Sequence, residues 1–153
     1  MSSNSNTILI VDDSPSNLQL LSQFLESEGY NIKLTLSGKF VLKFVQKVIP
    51  DLILLDINMP DMDGFEVCQQ LKSMPETQYI PIIFISAYNN VSDRIKALEV
   101  GGIDYISKPL HTGEVVIRIK NILNLYNQYQ KILEENTQLT RQINEYKKLQ
   151  PGE

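Results

Sequence analysis

Five short strand candidates, the clearest of them apolar runs, alternate along the chain with five segments of helical periodicity, and this alternation constrains the fold most strongly. The third run shows it best, because the aliphatic residues 52–55 end abruptly on Asp56 and turn formers follow through Gly64. An apolar run bounded by turn residues is typical of a strand buried on both faces of a sheet. Strands that alternate with helices predict a parallel sheet that carries helices on both faces.

The five predicted strands are Thr7–Val11, Asn31–Thr35, Asp51–Leu55, Ile80–Ile85 and Ile103–Ile106. Apolar residues at helical spacing mark the helices between them: Leu18, Leu21 and Leu25, then Val41, Phe44, Val45 and Val48, then Phe65, Cys68 and Leu71, then Val91, Ile95 and Leu98. Ser14-Pro15 and Ser37 are the expected helix caps. Right-handed crossovers leave few topologies, and we predict the flavodoxin-like strand order 2-1-3-4-5.

The last helix is predicted to run from about Thr112 to Leu149, since this segment has no proline and its single glycine lies near the start. The sheet can bury only its first part, around Val115, Val116, Ile119, Ile122 and Leu123. Beyond these, a strict 4-3-4-3 spacing links Leu125, Tyr129, Ile132, Asn136, Leu139, Ile143 and Tyr146. Such spacing is a heptad seam, in which Asn136 takes an a position and favours a parallel pair of helices.

We therefore expect a domain over residues 7–123, a helical coiled-coil extension over 124–150, and disordered tails at 1–6 and 151–153. The extension predicts a modest parallel homodimer. Two alternatives stay open, a single solvated helix and a helix that packs on another domain.

Polar side chains end several of the predicted strands. Asp12 and Asp13 follow the first strand, Asp56 the third, Ser86 the fourth and Lys108 the fifth. Neighbouring strands lie about 5 Å apart, and carboxylates that close repel each other unless a cation sits among them. Oxygen ligands that leave room for phosphate favour Mg²⁺. With a hydroxyl and an ammonium group as donors, the set suits phosphoryl transfer to a carboxylate.

Each of these residues has an ordinary structural explanation when taken alone. An Asp pair after a strand is most often a helix cap, a strand-end serine usually bonds the backbone, and a lysine is usually solvated. The functional interpretation depends on their occurring together at the strand ends of one sheet.

The chain resembles the response-regulator receiver domain of two-component signalling. Four motifs carry the resemblance: ILIVDDSPSN at 8–17, DLILLDINMPDMDGFEV at 51–67, PIIFISAY at 81–88 and GGIDYISKPL at 101–110. The resemblance implies that Asp56 is the phosphoacceptor and that Lys108, before a cis proline bond, pairs with the phosphoryl group. It also implies that Ser86 and Tyr105 are the switch residues.

The resemblance further implies a Mg²⁺ site formed by Asp12, Asp13, Asp56 and the backbone carbonyl of Asn58. A sensor histidine kinase or phosphotransfer protein would donate the phosphoryl group, and the signal would leave through the Tyr105 face and the last helix. In this family such a helix often leads into an output domain. The chain is then either the N-terminal part of a longer regulator or a stand-alone dimerising receiver.

In this interpretation the chain is no enzyme for an external substrate and catalyses only its own phosphorylation and dephosphorylation. The alternatives are a phosphohydrolase with an aspartyl nucleophile and an interaction module that is never phosphorylated. Such hydrolases usually place a second acid two residues after the nucleophile, where this chain has Asn58. A flavodoxin-like redox protein is disfavoured, because Asp12 and Asp13 would repel a cofactor phosphate.

Composition narrows the partners and the compartment. The formal net charge is -4 and the long helix is not strongly basic, so we expect no nucleic-acid partner. No apolar run is long enough to span a bilayer, and the polar start of the chain lacks a signal pattern. The one cysteine, Cys68, allows no disulfide within the chain, which fits a cytoplasmic protein with no membrane association.

Overall fold

A computed structural model of the chain describes residues 6–88 and 90–150, so the predicted tails lie outside the described part apart from Asn6. The predicted alternation of strands and helices is confirmed. The elements are β1 (Thr7–Val11), α1 (Pro15–Ser27), β2 (Asn31–Thr35), α2 (Gly38–Lys47), β3 (Leu52–Asp56), α3 (Gly64–Lys72), β4 (Ile82–Ser86), α4 (Val91–Glu99), β5 (Asp104–Ser107) and α5 (Thr112–Leu149).

The strands form one parallel sheet in the order β2-β1-β3-β4-β5, as predicted. β3 and β4 are buried along their whole length, whereas β2 forms one edge and is largely exposed. The register pairs Val11 with Leu55 and Ser86 with Ser107. The carboxyl ends of β1, β3, β4 and β5 therefore meet along one edge of the sheet.

The last three strands end one residue later than predicted, on Asp56, Ser86 and Ser107. The prediction placed each boundary where apolar residues give way to polar ones. Backbone pairing continues past that point, since Asp56 is opposite Ile85 in the ladder. The polar side chains thus belong to the rigid strand ends and not to the loops that follow.

The predicted caps are confirmed. The Ser14 hydroxyl accepts from the Asn17 N–H at 3.5 Å, and Pro15 is the first residue of α1. The Ser37 hydroxyl accepts from the Lys39 N–H at 3.2 Å at the start of α2. These bonds satisfy N–H groups that have no partner within the helix.

Helices α1, α2 and α3 turn most of their predicted apolar residues into the core: Leu18, Leu21 and Leu25, Val41 and Val45, Phe65, Cys68 and Leu71. Helix α4 differs. Its apolar residues Val91, Ile95 and Leu98 are 69%, 50% and 59% exposed, and Ala97 is buried instead. Their spacing correctly predicts a helix, but the stripe that they form faces solvent.

The chain divides into two compact units, one through Ile119 and one from Lys120 onward. In the first unit, Val115 and Ile119 of α5 are buried, as predicted. In the second unit, the apolar and aromatic seam residues of α5 are 53 to 65% exposed: Leu125, Tyr129, Ile132, Leu139, Ile143 and Tyr146. Within residues 6–88 and 90–150, no helix combines the length and the apolar character needed to cross a bilayer.

Candidate functional site

Three carboxylates meet at the carboxyl edge of the sheet, as the sequence predicts. Asp12 and Asp13 follow β1, Asp56 ends the neighbouring β3, and one oxygen from each lies within 4.8 Å of the others. The Asp12 and Asp56 side chains are almost fully buried, whereas Asp13 is exposed. Parallel pairing of β1 with β3 is what brings residues so far apart in sequence together.

The Asp12 carboxylate is held from both sides by α1 and the turn before it. Its Oδ1 accepts from the Ser14 N–H at 2.9 Å, and its Oδ2 accepts from the Asn17 side-chain amide at 3.3 Å. Asn17 is a site residue that the sequence reasoning missed. Its place five residues after Asp12, on the first turn of the predicted α1, was the signal available.

Lys108 brings positive charge to the acids from the end of β5. Its Nζ lies 3.4 Å from Asp12 Oδ2 and 3.6 Å from Asp56 Oδ2. Its backbone N–H donates to the Ser86 carbonyl at 2.7 Å, and the Lys108-Pro109 bond is cis, as predicted. One ammonium group therefore balances part of the charge of two buried carboxylates.

The environment of Asp56 opposes its ionisation. Burial, followed by repulsion from Asp12, raises the pKa of Asp56 from 3.8 to about 6. Lys108 and the Asn58 N–H, which donates to Asp56 Oδ1 at 3.3 Å, act in the opposite direction. At neutral pH the group is mostly ionised, yet its charge is poorly solvated and under-compensated.

A divalent cation fits this donor set. The three clustered carboxylates carry more negative charge than Lys108 supplies, and the exposed Asp13 leaves one side of the cluster open to solvent. Mg²⁺ binds carboxylate oxygens and keeps several of its coordination positions for water or phosphate. Asp12, Asp13 and Asp56 are thus the residues able to hold it.

The Ser86 and Tyr105 side chains are linked through the backbone of Tyr88. Buried Ser86 accepts the Tyr88 N–H on its hydroxyl at 3.0 Å, and the Tyr105 hydroxyl donates to the Tyr88 carbonyl. The Tyr105 ring is only 6% exposed, with the Arg94 guanidinium 5.9 Å from its centroid. Two hydrogen bonds to the backbone of Tyr88 therefore connect the Ser86 hydroxyl with the Tyr105 side chain.

The loop from β3 to α3 leaves no space for a side chain at Gly64. A Cβ there would lie 2.5 Å from the Asp56 carbonyl oxygen and 3.0 Å from Ile57 Cα. The Gly64 N–H donates to the Ile57 carbonyl at 2.9 Å, which closes the loop directly behind Asp56. The sequence identified Gly64 only as a turn former, whereas the structure packs it directly against the backbone of Asp56 and Ile57.

Cys68 and His111 are not part of the acidic cluster. The Cys68 thiol is buried in the core and donates to the Val100 carbonyl at 3.3 Å, and burial raises its pKa to about 11. His111 is exposed at the start of α5. Both positions suit structural roles.

Comparison with known proteins identifies the part of the chain that forms the sheet and the strand-end site. The response regulator receiver domain family matches residues 8–120. The response regulator PleD of Caulobacter vibrioides is 39% identical over 115 residues, which cover 75% of this chain and 25% of PleD. A Vibrio cholerae protein described as a probable cyclic di-GMP phosphodiesterase is 39% identical over 137 residues, or 90% of this chain and 31% of that protein.

A two-component response regulator from Clostridium difficile has a crystal structure that matches this fold with a TM-score of 0.76. The two chains are 32% identical, and the match covers 80% of this chain and 99% of that one. The chain spans about a quarter to a third of the length of the two curated relatives. From the fold, the strand-end site and these matches, we conclude that the chain belongs to the response regulator receiver domain family of two-component signalling.

Proposed function

We propose that Asp56 accepts a phosphoryl group from a phosphohistidine of a sensor histidine kinase or phosphotransfer protein. The observation that carries the proposal is the position of Asp56 among two acidic side chains and one lysine at the same strand edge. With a pKa of about 6, the carboxyl group is mostly ionised at pH 7.5 and needs no general base. The family match supports the same role.

In the transfer, an Asp56 carboxylate oxygen forms a bond to phosphorus while the bond from phosphorus to the donor imidazole nitrogen breaks. The electron pair of that bond stays on the imidazole. Lys108 Nζ, 3.6 Å from Asp56 Oδ2, is placed to neutralise charge on the phosphoryl oxygens. Asp12 keeps Lys108 aimed at this point from 3.4 Å.

Asp12, Asp13 and Asp56, with the Asn58 carbonyl, are the groups that we assign to Mg²⁺. When bound, the ion supplies positive charge to the phosphoryl oxygens during transfer. The chain's own contribution is geometric, because the pairing of β1 with β3 holds the carboxylates within 4.8 Å before any partner arrives.

Ser86 and Tyr105 form the switch in this proposal. A phosphoryl group on Asp56 offers new acceptors to the Ser86 hydroxyl, and a Ser86 side chain drawn toward them moves away from the Tyr88 N–H, whose bond it accepts here. A displaced Tyr88 backbone then loses its bond from the Tyr105 hydroxyl. Since Tyr105 is already buried here, the switch alters its hydrogen bond and packing and need not begin from an exposed ring.

The route onward from Tyr105 leads to α5. Asp104, its neighbour on β5, accepts from Arg118 Nη1 of α5 at 2.7 Å through both carboxylate oxygens. The exposed seam of the same helix provides a surface for a second copy of the chain, as a parallel coiled coil.

We place this receiver in the cytoplasm, and its only catalysis is its own phosphorylation and dephosphorylation.

Incubation with acetyl phosphate and Mg²⁺, followed by intact mass measurement, tests the acceptor. Wild type gains one phosphoryl group, whereas D56N and wild type treated with EDTA gain none. Continued release of phosphate from unrelated phosphate esters would favour the phosphohydrolase alternative instead. An adduct of equal yield on D56N would refute the assignment of Asp56.

A further inference from the structure

The α5 seam contains residues that favour more than two strands. Ile132 occupies a d position, where a β-branched side chain shifts parallel coiled coils toward trimers and tetramers. Leu133, at the neighbouring e position, is 41% exposed and widens the apolar stripe. A stripe wider than the a and d positions is typical of a helix packed into a core or bundle, and it exceeds the narrow seam of a two-stranded coiled coil. Judged by these two residues alone, the helix would form a larger bundle.

Charged residues beside the seam do little to choose a partner. In a parallel pair, Glu135 at g would be opposite Thr140 at e, and Gln142 would be opposite Lys147. Neither combination joins opposite charges, so the flanks lack the salt bridges that set partner choice in many coiled coils. Partner choice and strand number must then come from the a and d positions themselves.

Asn136 is the polar residue at the centre of these positions. It lies on an exposed, uninterrupted stretch of helix, four residues after Ile132 and three before Leu139. A buried amide is satisfied when it meets a second amide at the same level, and it costs free energy when it meets an aliphatic side chain. Two parallel helices in register give Asn136 that partner, and a shifted or antiparallel arrangement without Asn136 opposite Asn136 does not.

We infer that Asn136 makes this seam two-stranded and in register, and that it selects a second copy of this chain over other apolar heptads. The inference rests on the coiled-coil dimer proposed above and adds the residue that determines its order and specificity. Stability is given up for this selection, because the amide pair replaces aliphatic contacts at the centre of the seam.

The test uses the full chain and the substitution Asn136→Ile, with Asn127→Ile as the matched control. The control makes the same substitution at an f position, which faces away from the seam. Sedimentation equilibrium gives the mass of each assembly over a range of concentrations. We expect two chains for wild type and N127I, and three or four chains for N136I, whose a and d positions then both contain isoleucine.

A mixing experiment measures partner selection. Wild type and N136I carrying different affinity tags are refolded together at equal concentration and separated by tag. The expected result is that mixed assemblies are less than half of the total, because the Asn136 amide would face isoleucine in them. If mixed assemblies reach the half of the total that random pairing gives, the selection is overturned.

The two levels of the argument fail separately. If wild type sediments as one chain at every concentration, the coiled-coil proposal is wrong and the inference is overturned with it. If wild type is a dimer and N136I is an equally defined dimer, the coiled coil stands and the role of Asn136 is overturned. If N127I changes the mass as N136I does, the effect belongs to isoleucine in the helix and not to the seam.

Discussion

Replacing Asp56 by asparagine is expected to stabilise the metal-free protein at neutral pH. Asp56 is only 2% exposed in the folded chain, and its burial together with the charge of Asp12 raises its pKa from 3.8 to about 6. Each unit by which the folded pKa exceeds the ordinary value is worth about 1.4 kcal/mol, so an ionised Asp56 costs the folded state about 3 kcal/mol at pH 7.5. Asparagine has nearly the same shape without the charge, so D56N avoids this cost.

The sign of the pH dependence follows from the raised pKa. A carboxyl group whose pKa is higher in the folded state binds protons more tightly when folded, so acid favours folding and alkali disfavours it. The cost is complete above the folded pKa of about 6, falls as pH decreases, and disappears below the ordinary value of 3.8. The advantage of D56N should therefore shrink from about 3 kcal/mol at pH 7.5 to about 1.5 kcal/mol at pH 5.

Urea denaturation with EDTA, followed by circular dichroism at both pH values, measures this advantage. Glu134→Gln is the control, because it removes one acid from an exposed position of α5 and should change stability by less than about 0.5 kcal/mol. Added Mg²⁺ should stabilise wild type more than D56N and reverse the order. A D56N protein less stable than wild type at pH 7.5 in EDTA would refute the reasoning, since Asp56 would then stabilise the fold by its charge.

Three further substitutions test other parts of the account. Lys108→Met leaves Asp12 and Asp56 without their shared cation. Urea denaturation in EDTA at pH 7.5 should show a free energy of unfolding lower by about 1 to 3 kcal/mol; an unchanged urea midpoint would show that the ion pairs add nothing to stability. Tyr105→Phe removes the bond to the Tyr88 carbonyl and should cost about 1 kcal/mol while acetyl phosphate still labels the chain; loss of labelling would place Tyr105 in the transfer itself. Leu139→Lys puts a charge into the seam and should convert dimers to single chains in sedimentation runs, with labelling intact; a dimer that survives must form through another surface.

The fold could be predicted because one signal repeats through the chain. Apolar runs that alternate with helical periodicity specify a parallel sheet, and parallel pairing alone places Asp12, Asp13, Asp56, Ser86 and Lys108 at one edge. Strand ends were misplaced by one residue, since hydrogen bonding between backbones does not depend on whether the last side chain is polar.

Other features depend on contacts between separate elements and left no periodic signal. The amide of Asn17 on Asp12 and the pairing of Arg118 with Asp104 each require the packed structure. The α4 stripe of Val91, Ile95 and Leu98 has the spacing of a core face but is exposed. Periodicity predicts a helix and the composition of its face, whereas the remaining elements decide whether that face is covered.

The most direct test of the central claim is to locate the phosphoryl group chemically. Borohydride reduces an aspartyl phosphate to homoserine, and trypsin then releases the peptide that follows Lys47 and ends at Lys72, which contains four aspartates. After phosphorylation with Mg²⁺ present, fragmentation should place homoserine at position 56 and leave the other three aspartates unchanged. Homoserine at Asp12 or Asp13, or a reduced residue elsewhere in the chain, would contradict the account.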